Sequence, residues 1–171
     1  MLNGRFRIEP IAMYQLAPFL ASYSIVFDYP RVEEIFKMTT ELAFNQEDVV
    51  ATNVIHACYD IQEEKYCAII NLGTTTDIDD VVSIAVEFFY INPEYRKDIF
   101  VDDLGCKLSH FLLQDYVIGE VAYKIKKDIG INIVGIVPMN DIVREIYEGI
   151  GFESIKNPQN STYEDWMIFP L

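Results

Sequence analysis

The order of strand-like and helix-like segments predicts an α/β or α+β fold, with a mixed sheet and helices on both of its faces. Residues 81–91 are apolar at nearly every position, which is typical of a strand that is covered on both sides. Apolar residues recur at helical spacing over residues 13–27, 31–44 and 104–129. Shorter apolar runs separate these segments, so the predicted element order is βααβββαβαβ.

The first third of the chain is predicted to form one strand and two helices. The strand covers residues 6–8, and the first helix runs over residues 13–27. Pro30 ends that helix, because proline has no N–H and restricts the residue before it. A second helix then covers residues 31–44, where apolar side chains share one side.

The middle of the chain is predicted to form a hairpin, a second turn or loop, and a long strand. Strands at residues 52–59 and 66–72 are joined by the polar turn 60–65. Residues 73–80 read as a second turn or loop, because Gly73 and three aspartates lie there. The long apolar strand over residues 81–91 follows this loop.

The last third begins with a long helix over residues 104–129. Gly119 indicates a bend or a close contact within it, since glycine costs about 1 kcal/mol against alanine in a helix interior. Gly130 is a typical C-terminal stop. The remaining elements are a strand (residues 131–137), a helix (141–149), a strand (152–155), a loop (156–161) and a closing strand (163–169).

Length and composition indicate one domain over residues 1–171 in a cytoplasmic protein. Hydrophobic residues make up 51% of the chain, which is enough for a single core. No apolar stretch reaches about 18 residues, so no membrane partner is expected, and the charged start lacks a signal-peptide core. Cys58, Cys67 and Cys106 have no metal-ligand spacing, and we expect buried reduced thiols and no metal.

The net charge of −14 suggests which partners the surface attracts. Nonspecific nucleic-acid binding requires a cationic surface, so no nucleic-acid partner is expected. Long-range attraction favours polyamines, lysine side chains or basic proteins. Solubility alone is the other explanation of so acidic a surface.

Two segments resemble the GNAT superfamily of N-acetyltransferases. In the first, Asn140 follows an apolar run, Tyr147 lies seven residues later, and Gly151-Phe152 closes the segment. The second is Ile91-Asn-Pro-Glu-Tyr-Arg96, which is similar to the end of the family's central strand. The resemblance implies a GNAT-like, mostly antiparallel sheet of about seven strands and acetyl-CoA as cosubstrate. Family members often pair, so a homodimer is compatible with it.

The resemblance also implies a binding site for acetyl-CoA. The pantetheine arm would bond to the backbone of the central strand, at Phe89, Tyr90 and Ile91. Its pyrophosphate would lie at the following helix N-terminus, where free N–H groups favour anions. Arg96 and Lys97 would begin that phosphate loop. Asn140 would contact the cofactor or the substrate, and its alternative role is to cap the next helix.

The chain departs from the family in the phosphate loop. The usual glycines, which let the backbone approach the phosphates, are absent, and Asp98, Asp102 and Asp103 add negative charge. One explanation is an expanded loop in which Gly105 and Cys106 belong to the helix N-terminus and hold phosphate. The other is a pocket that has lost CoA. A separate explanation of Asp102 and Asp103 is that they cap the first turn of the helix.

Tyr147 and Glu87 are the candidate catalytic residues. In many family members the tyrosine protonates the leaving thiolate, although a buried aromatic core residue would look the same. Glu87 interrupts an apolar strand, where burial would raise its pKa and make it a usable base. Its alternative is a carboxylate that lies at the cleft edge or is paired with a lysine or arginine. His56 and His110 are read as hydrogen-bonded core residues.

Two hypotheses follow from these residues. The first is an acetyl-CoA-dependent N-acetyltransferase in which an amine attacks the thioester directly. The second is a catalytically inactive protein of the same fold, whose acidic surface engages a basic partner. Nothing in the sequence identifies the acceptor.

Overall fold

A computed structural model describes residues 1–12, 15, 18–19, 27–44, 53–97, 99–155 and 165–171. The chain forms two compact units. The first contains Met1–Leu72 and Phe88–Ser109, and the second contains Gly73–Glu87 and His110–Leu171. The predicted helix over residues 13–27, the loop 156–161 and the first residues of the last strand lie largely or wholly outside the described residues. The single domain stays a prediction.

Five strands take part in the first unit, in sequence order. They are β1 (Leu2–Asn3), β2 (Phe6–Pro10), β3 (Val54–Asp60), β4 (Lys65–Ile78) and β5 (Val81–Ile91). Strands β1 to β4 pair antiparallel, with a register shift between Cys58 and Tyr59. The predicted bounds of β5 are confirmed at both ends.

Helix α1 (Pro30–Phe44) covers part of this unit's apolar core. Pro30 occupies the first helical position, where its missing N–H costs nothing and its fixed φ suits a helix. Val32 and Phe36 are buried on the helix and belong to one hydrophobic cluster. The other buried members of that cluster are Phe19, Ile55, Ala57, Ile69, Phe88 and Tyr90.

The prediction of a turn or loop over residues 73–80 is wrong for most of this range. Strand β4 continues to Ile78, and the turn consists of Asp79 and Asp80 alone, with φ of 50° and 58°. Threonines 74–76 are β-branched and favour extended backbone. Two consecutive positive φ values match the right-handed twist of a hairpin, and aspartate tolerates them better than most residues do.

A small hairpin replaces the start of the long predicted helix. Strands β6 (Ile99–Phe100) and β7 (Cys106–Lys107) pair antiparallel. The Phe100 carbonyl accepts hydrogen bonds from the N–H groups of Leu104 (2.7 Å) and Gly105 (2.8 Å). Gly105 has φ of 71°, which closes the turn and prevents a helix from starting there.

Helix α2 (residues 108–129) therefore starts four residues later than predicted. It consists of α-helical Leu108–His110, π-helical Phe111–Ala122 and α-helical Tyr123–Ile129. Buried residues in the π-helical part lie five positions apart: Phe111 and Tyr116, Leu112 and Val117, Leu113 and Ile118, Val117 and Ala122. A Cβ on Gly119 would lie 3.2 Å from the Gln114 carbonyl oxygen of the same helix, and the predicted bend or close contact stays a prediction. Gly130 ends the helix with φ of 81°.

The second unit contains the remaining strands and helix α3 (Asp141–Ile150). Strand β5 pairs parallel with β8 (Ile133–Ile136), β8 pairs antiparallel with β10 (Met167–Pro170), and β10 pairs antiparallel with β9 (Glu153–Ser154). The predicted fold class, a mixed and mostly antiparallel sheet combined with helices, is confirmed. The expected seven strands are present, and the two-residue β1 is an eighth.

Gly135 on β8 permits close packing in the second unit. Ile78, Ala85 and Trp166 form a buried cluster there. A Cβ on Gly135 would lie 2.3 Å from Ile78 Cδ1 and 3.1 Å from two carbons of the Trp166 ring. A larger side chain therefore has no room unless the isoleucine moves.

The cysteines and histidines follow their predictions in part. Cys58 and Cys67 are buried free thiols, whereas Cys106 is a free thiol that is only half-buried, because β7 lies in a small surface hairpin. His56 is buried on β3, and burial lowers its pKa to about 4. His110 is half-buried near the start of α2. Within the described ranges, no helix is long and apolar enough to cross a membrane.

Candidate functional site

The pairing of β5 with β8 covers only part of the length of β5. The strand pairs with β8 at three positions only: Ile84 with Val134, Ala85 with Gly135, and Val86 with Ile136. Strand β8 ends at Ile136, while β5 continues for five more residues to Ile91. In the part of the chain that the structure describes, β5 has no further pairing with β8 beyond Val86. A ligand that adds as a strand would use backbone groups on this edge, beyond the segment that pairs with β8.

Glu87 is the first residue beyond the paired segment. Its side chain is exposed, so the expectation of a carboxylate buried within the strand is wrong. The pleat turns Glu87 away from its buried neighbours Val86 and Phe88. Partial removal of water still raises the pKa of Glu87, and the negative charge of Asp77 raises it further.

Arg96 lies just after β5, at the end of the 3₁₀ turn Pro93–Tyr95. Its Nε donates to the Ile91 carbonyl oxygen at 2.8 Å. Its Nη1 and Nη2 donate to the two carboxylate oxygens of Asp28, the second at 3.3 Å. The guanidinium carbon also lies 4.9 Å from the centre of the Tyr90 ring. The predicted phosphate-loop arginine is thus already bonded within the first unit.

Asp28 is shared between Arg96 and Tyr90. The Tyr90 hydroxyl donates to Asp28 Oδ1 at 2.5 Å. Burial alone would raise the pKa of Asp28, but the hydrogen bonds from Tyr90 and Arg96 outweigh it and lower that pKa. Burial and the bond to the carboxylate raise the pKa of Tyr90 to about 12. At neutral pH the cluster therefore contains one cation, one anion and one neutral phenol.

A second polar cluster is centred on Asp60, which is fully buried. Arg5 donates to its carboxylate through Nε at 2.9 Å and Nη2 at 2.6 Å. Tyr95 donates its hydroxyl to Oδ2 at 2.8 Å, and the N–H groups of Gln62 and Glu63 donate to Oδ1. Burial favours the protonated acid, yet these bonds keep the pKa of Asp60 below its usual value. Sequence reasoning missed this cluster and treated Asp60 as an ordinary turn residue.

The predicted phosphate loop has a different shape from a glycine-rich cradle. Lys97 is exposed, and Asp98 lies outside the described residues. Gly105 and Cys106 belong to the β6–β7 hairpin, so they do not form the N-terminus of α2. Asp102 and Asp103 lie in the turn of that hairpin, which removes the helix-cap explanation.

Asn140 and Tyr147 lie at opposite ends of α3 in the second unit. The Asn140 side-chain oxygen accepts the Val143 N–H at 2.9 Å, so the capping role is observed and the cofactor contact stays a prediction. Tyr147 is 6% exposed, and burial raises its pKa. Gly151, with φ of 109°, ends the helix, and Phe152 is buried at 2% exposure. The structural role predicted for this Gly-Phe pair is confirmed.

Comparison with known proteins shows the fold. No family model matches the sequence, and no curated protein matches it either. One similar structure is the AtaTR complex bound with AcCoA. The alignment covers 97% of this chain and 93% of the matched chain, with 12% identity and a TM-score of 0.68. A second is a mutant of KacT. That alignment covers 97% of this chain and 95% of the KacT chain, with 12% identity and a TM-score of 0.66.

A third similar structure is the aminoglycoside N(6')acetyltransferase from Legionella pneumophila subsp. pneumophila str. Philadelphia 1. The alignment covers 99% of this chain and 94% of the acetyltransferase chain, with 15% identity and a TM-score of 0.60. These solved structures are acetyltransferases of the GNAT fold. At these identities the likeness shows the fold alone, and the predicted GNAT-like architecture is confirmed.

The expectation that excluded nucleic acid is contradicted for proteins of this fold. Similar structures include a KacTA–DNA complex, an AtaT–AtaR complex bound to DNA, and AtaT complexed with acetyl-methionyl-tRNAfMet. The net charge describes the whole surface. It therefore does not exclude a local contact, or one that a partner chain makes.

Proposed function

We propose that the chain is an acetyl-CoA-dependent N-acetyltransferase that uses direct attack by an amine. The observation that carries this proposal is the end of the β5–β8 pairing at Val86, beyond which β5 runs on to Ile91. A pantetheine arm carries two amides, which would bond to such an edge as an added strand does. Similar structures that contain acetyl-CoA support the same cosubstrate.

In the proposed reaction, the amine nitrogen attacks the thioester carbonyl carbon and the carbon–sulfur bond then breaks. The released thiolate takes its proton from the Tyr147 hydroxyl. Burial raises the pKa of Tyr147, so this proton is present at neutral pH. Glu87 accepts the proton that the amine loses, directly or through water, and its raised pKa makes it a better base than an ordinary glutamate.

The proposed acceptor is a primary amine carried by a cationic molecule or by an aminoacyl group. The charge of −14 draws cations toward the protein. Two similar structures supply the classes to test: an aminoglycoside acetyltransferase, and AtaT with acetyl-methionyl-tRNAfMet. An aminoglycoside, a polyamine and a methionyl-tRNA therefore form the acceptor panel.

Calorimetric titration with acetyl-CoA and detection of released thiol test the proposal together. We expect measurable binding by the wild-type chain, and thiol release with at least one acceptor. Tyr147→Phe should retain binding and lose about 10²–10⁴-fold in turnover, because it removes only the proton donor. No heat and no thermal stabilisation at millimolar acetyl-CoA would falsify the enzyme assignment.

The alternative is a binding protein that retains the fold without the chemistry. Arg96 is bonded to Asp28, and Gly105 lies in a hairpin instead of a phosphate cradle, which are the observations that favour it. On this reading the acidic surface engages a basic partner. Acetyl-CoA binding combined with thiol release would reject this alternative.

A further inference from the structure

Arg96 and Asp28 form a fixed connection at the end of β5. We propose that Arg96 holds the last residue of β5 in place instead of binding a phosphate, and that Asp28 is the positioning residue that keeps it there. This proposal rests on the proposed function, because it concerns the strand end that would bond the pantetheine arm.

All three guanidinium nitrogens of Arg96 are engaged. Nε donates to the Ile91 carbonyl oxygen at 2.8 Å, and Nη1 and Nη2 both donate to the Asp28 carboxylate. A planar fork that spans a carboxylate and a main-chain carbonyl is a geometry that arginine provides and lysine does not. The group expected to meet the pyrophosphate is therefore used within the protein.

Asp28 is equally occupied. Its Oδ1 accepts the Tyr90 hydroxyl at 2.5 Å and the Arg96 Nη2 at 3.3 Å, while Oδ2 accepts Nη1. The side chains of Arg96 and Asp28 are 37% and 21% exposed, so the pair is partly shielded from water. Shielding strengthens such a pair compared with a fully exposed one. A phosphate would have to displace a carboxylate that is already in place.

The connection acts on the backbone that the ligand is proposed to use. Tyr90 and Ile91 are the last two residues of β5, and both contact Arg96. Asp28 lies two positions before the first residue of α1 and 68 positions from Arg96 in the chain. The pair thus ties the end of β5 to the start of a helix, which fixes the direction of the Ile91 carbonyl. Phosphate contacts would then fall to other cations, such as exposed Lys97 and Lys107.

Two ligands distinguish a positioning role from a phosphate contact. Acetyl-CoA carries the phosphates, and acetyl-pantetheine lacks all of them. We expect Asp28→Asn to weaken binding of both ligands by the same factor, about tenfold or more, because the strand end loses the charged hydrogen bonds that hold Arg96 in place. Arg96→Lys should behave like Arg96→Ala, because one ammonium cannot hold both Ile91 and Asp28.

If Arg96 instead contacts a phosphate of the ligand, these variants should change binding in the opposite direction. Freeing Arg96 by Asp28→Asn would tighten acetyl-CoA binding and leave acetyl-pantetheine unchanged, and Arg96→Lys would restore most of the affinity. Either result overturns the proposal, as does a variant that weakens acetyl-CoA alone. A variant that melts earlier but binds both ligands normally shows a purely structural pair, and it overturns the positioning role as well.

Asp165→Asn is the matched control. It breaks the ion pair between Arg144 on α3 and Asp165, which lies two positions before β10, and should leave both affinities unchanged. Wild-type protein that binds neither ligand would overturn the proposed function, and this proposal with it. That result differs from every outcome above, which all require wild-type binding.

Discussion

The Tyr95 hydroxyl donates to the buried Asp60 carboxylate at 2.8 Å, and this bond ties the turn after β5 to the end of β3. Arg5 completes the cluster from the N-terminal turn, with its guanidinium carbon 5.4 Å from the Phe6 ring centre. The position of Arg96, one residue after Tyr95, therefore depends on a carboxylate far away in the sequence.

Replacing Tyr95 with phenylalanine should destabilise the fold by about 1.5–3 kcal/mol, because it removes a hydrogen bond to a buried charge. Asp60→Ala should cost more, about 3–5 kcal/mol, since it leaves Arg5 without its partner. Urea unfolding measures both. Tyr29→Phe changes a tyrosine that is 62% exposed and serves as the control, with little expected effect. Equal effects of the two tyrosine changes would contradict the role of the cluster.

Gly135→Ala should destabilise the second unit by about 1–3 kcal/mol through overpacking. The new Cβ would meet Ile78 Cδ1 at 2.3 Å. Ile78→Val removes that carbon, so the double variant should be more stable than the sum of the single changes predicts. Gly149→Ala is the control, since nothing lies within 4 Å of its added carbon and it should gain about 1 kcal/mol. Strict additivity of Gly135→Ala and Ile78→Val would rule out the steric explanation.

His56 should make stability depend on pH. Burial lowers its pKa in the folded state to about 4 from 6.5. The unfolded chain therefore takes up the proton first as the pH falls, so this contribution is complete above about pH 7 and is lost toward pH 4. The loss at pH 4.5 is about 2 kcal/mol for a difference of this size.

Denaturant unfolding of the wild-type chain and of His56→Asn at pH 7 and pH 4.5 measures this effect. Carboxylates also titrate in this range, so the difference between the two proteins isolates the histidine. We expect the variant to lose about 2 kcal/mol of the pH dependence. An unchanged pH dependence in His56→Asn would show that the buried ring is not the source.

Glu87 should set the acidic limb of the pH–rate profile if it is the base. The rate should rise as the pH passes the raised pKa of Glu87, because only the carboxylate accepts a proton. Asp77→Asn removes a negative charge that raises this pKa, so the limb should move to lower pH. Glu87→Gln should lose the limb, and Asp79→Asn, a change in the turn, should leave it in place. A limb that stays unchanged in Glu87→Gln would assign the base elsewhere.

Local signals in the sequence predicted several elements well. Strand β5 stands out through its unbroken apolar run, and α3 through Asn140 at its start and Gly151 at its end. Each of these features depends on residues close together in the chain. The bounds of β5 and the caps of α3 could therefore be read without knowing the rest of the fold.

Long-range relationships could not be predicted in the same way. Asp28 and Arg96 lie 68 positions apart, and Arg5 and Asp60 lie 55 apart. Nothing in the sequence pairs these charges, because their proximity results from strand order and not from spacing. The β6–β7 hairpin was missed for a related reason, since Leu104 fits a helical apolar pattern that Gly105 interrupts through its backbone conformation.

The winding of α2 has a consequence for how its surface is mapped. Asp115 falls within the apolar stripe when the usual helical repeat is applied, yet it is exposed, as Glu120 is five positions later. Substitutions over residues 111–122 should therefore be harmless at exposed positions such as Asp115 and Glu120 and harmful at buried ones, with a repeat longer than the 3.6 residues of an α-helix, because i→i+5 bonding widens the turn. Wheel diagrams drawn at 100° per residue assign this segment to the wrong sides, and mutational libraries built on them would randomise the interior.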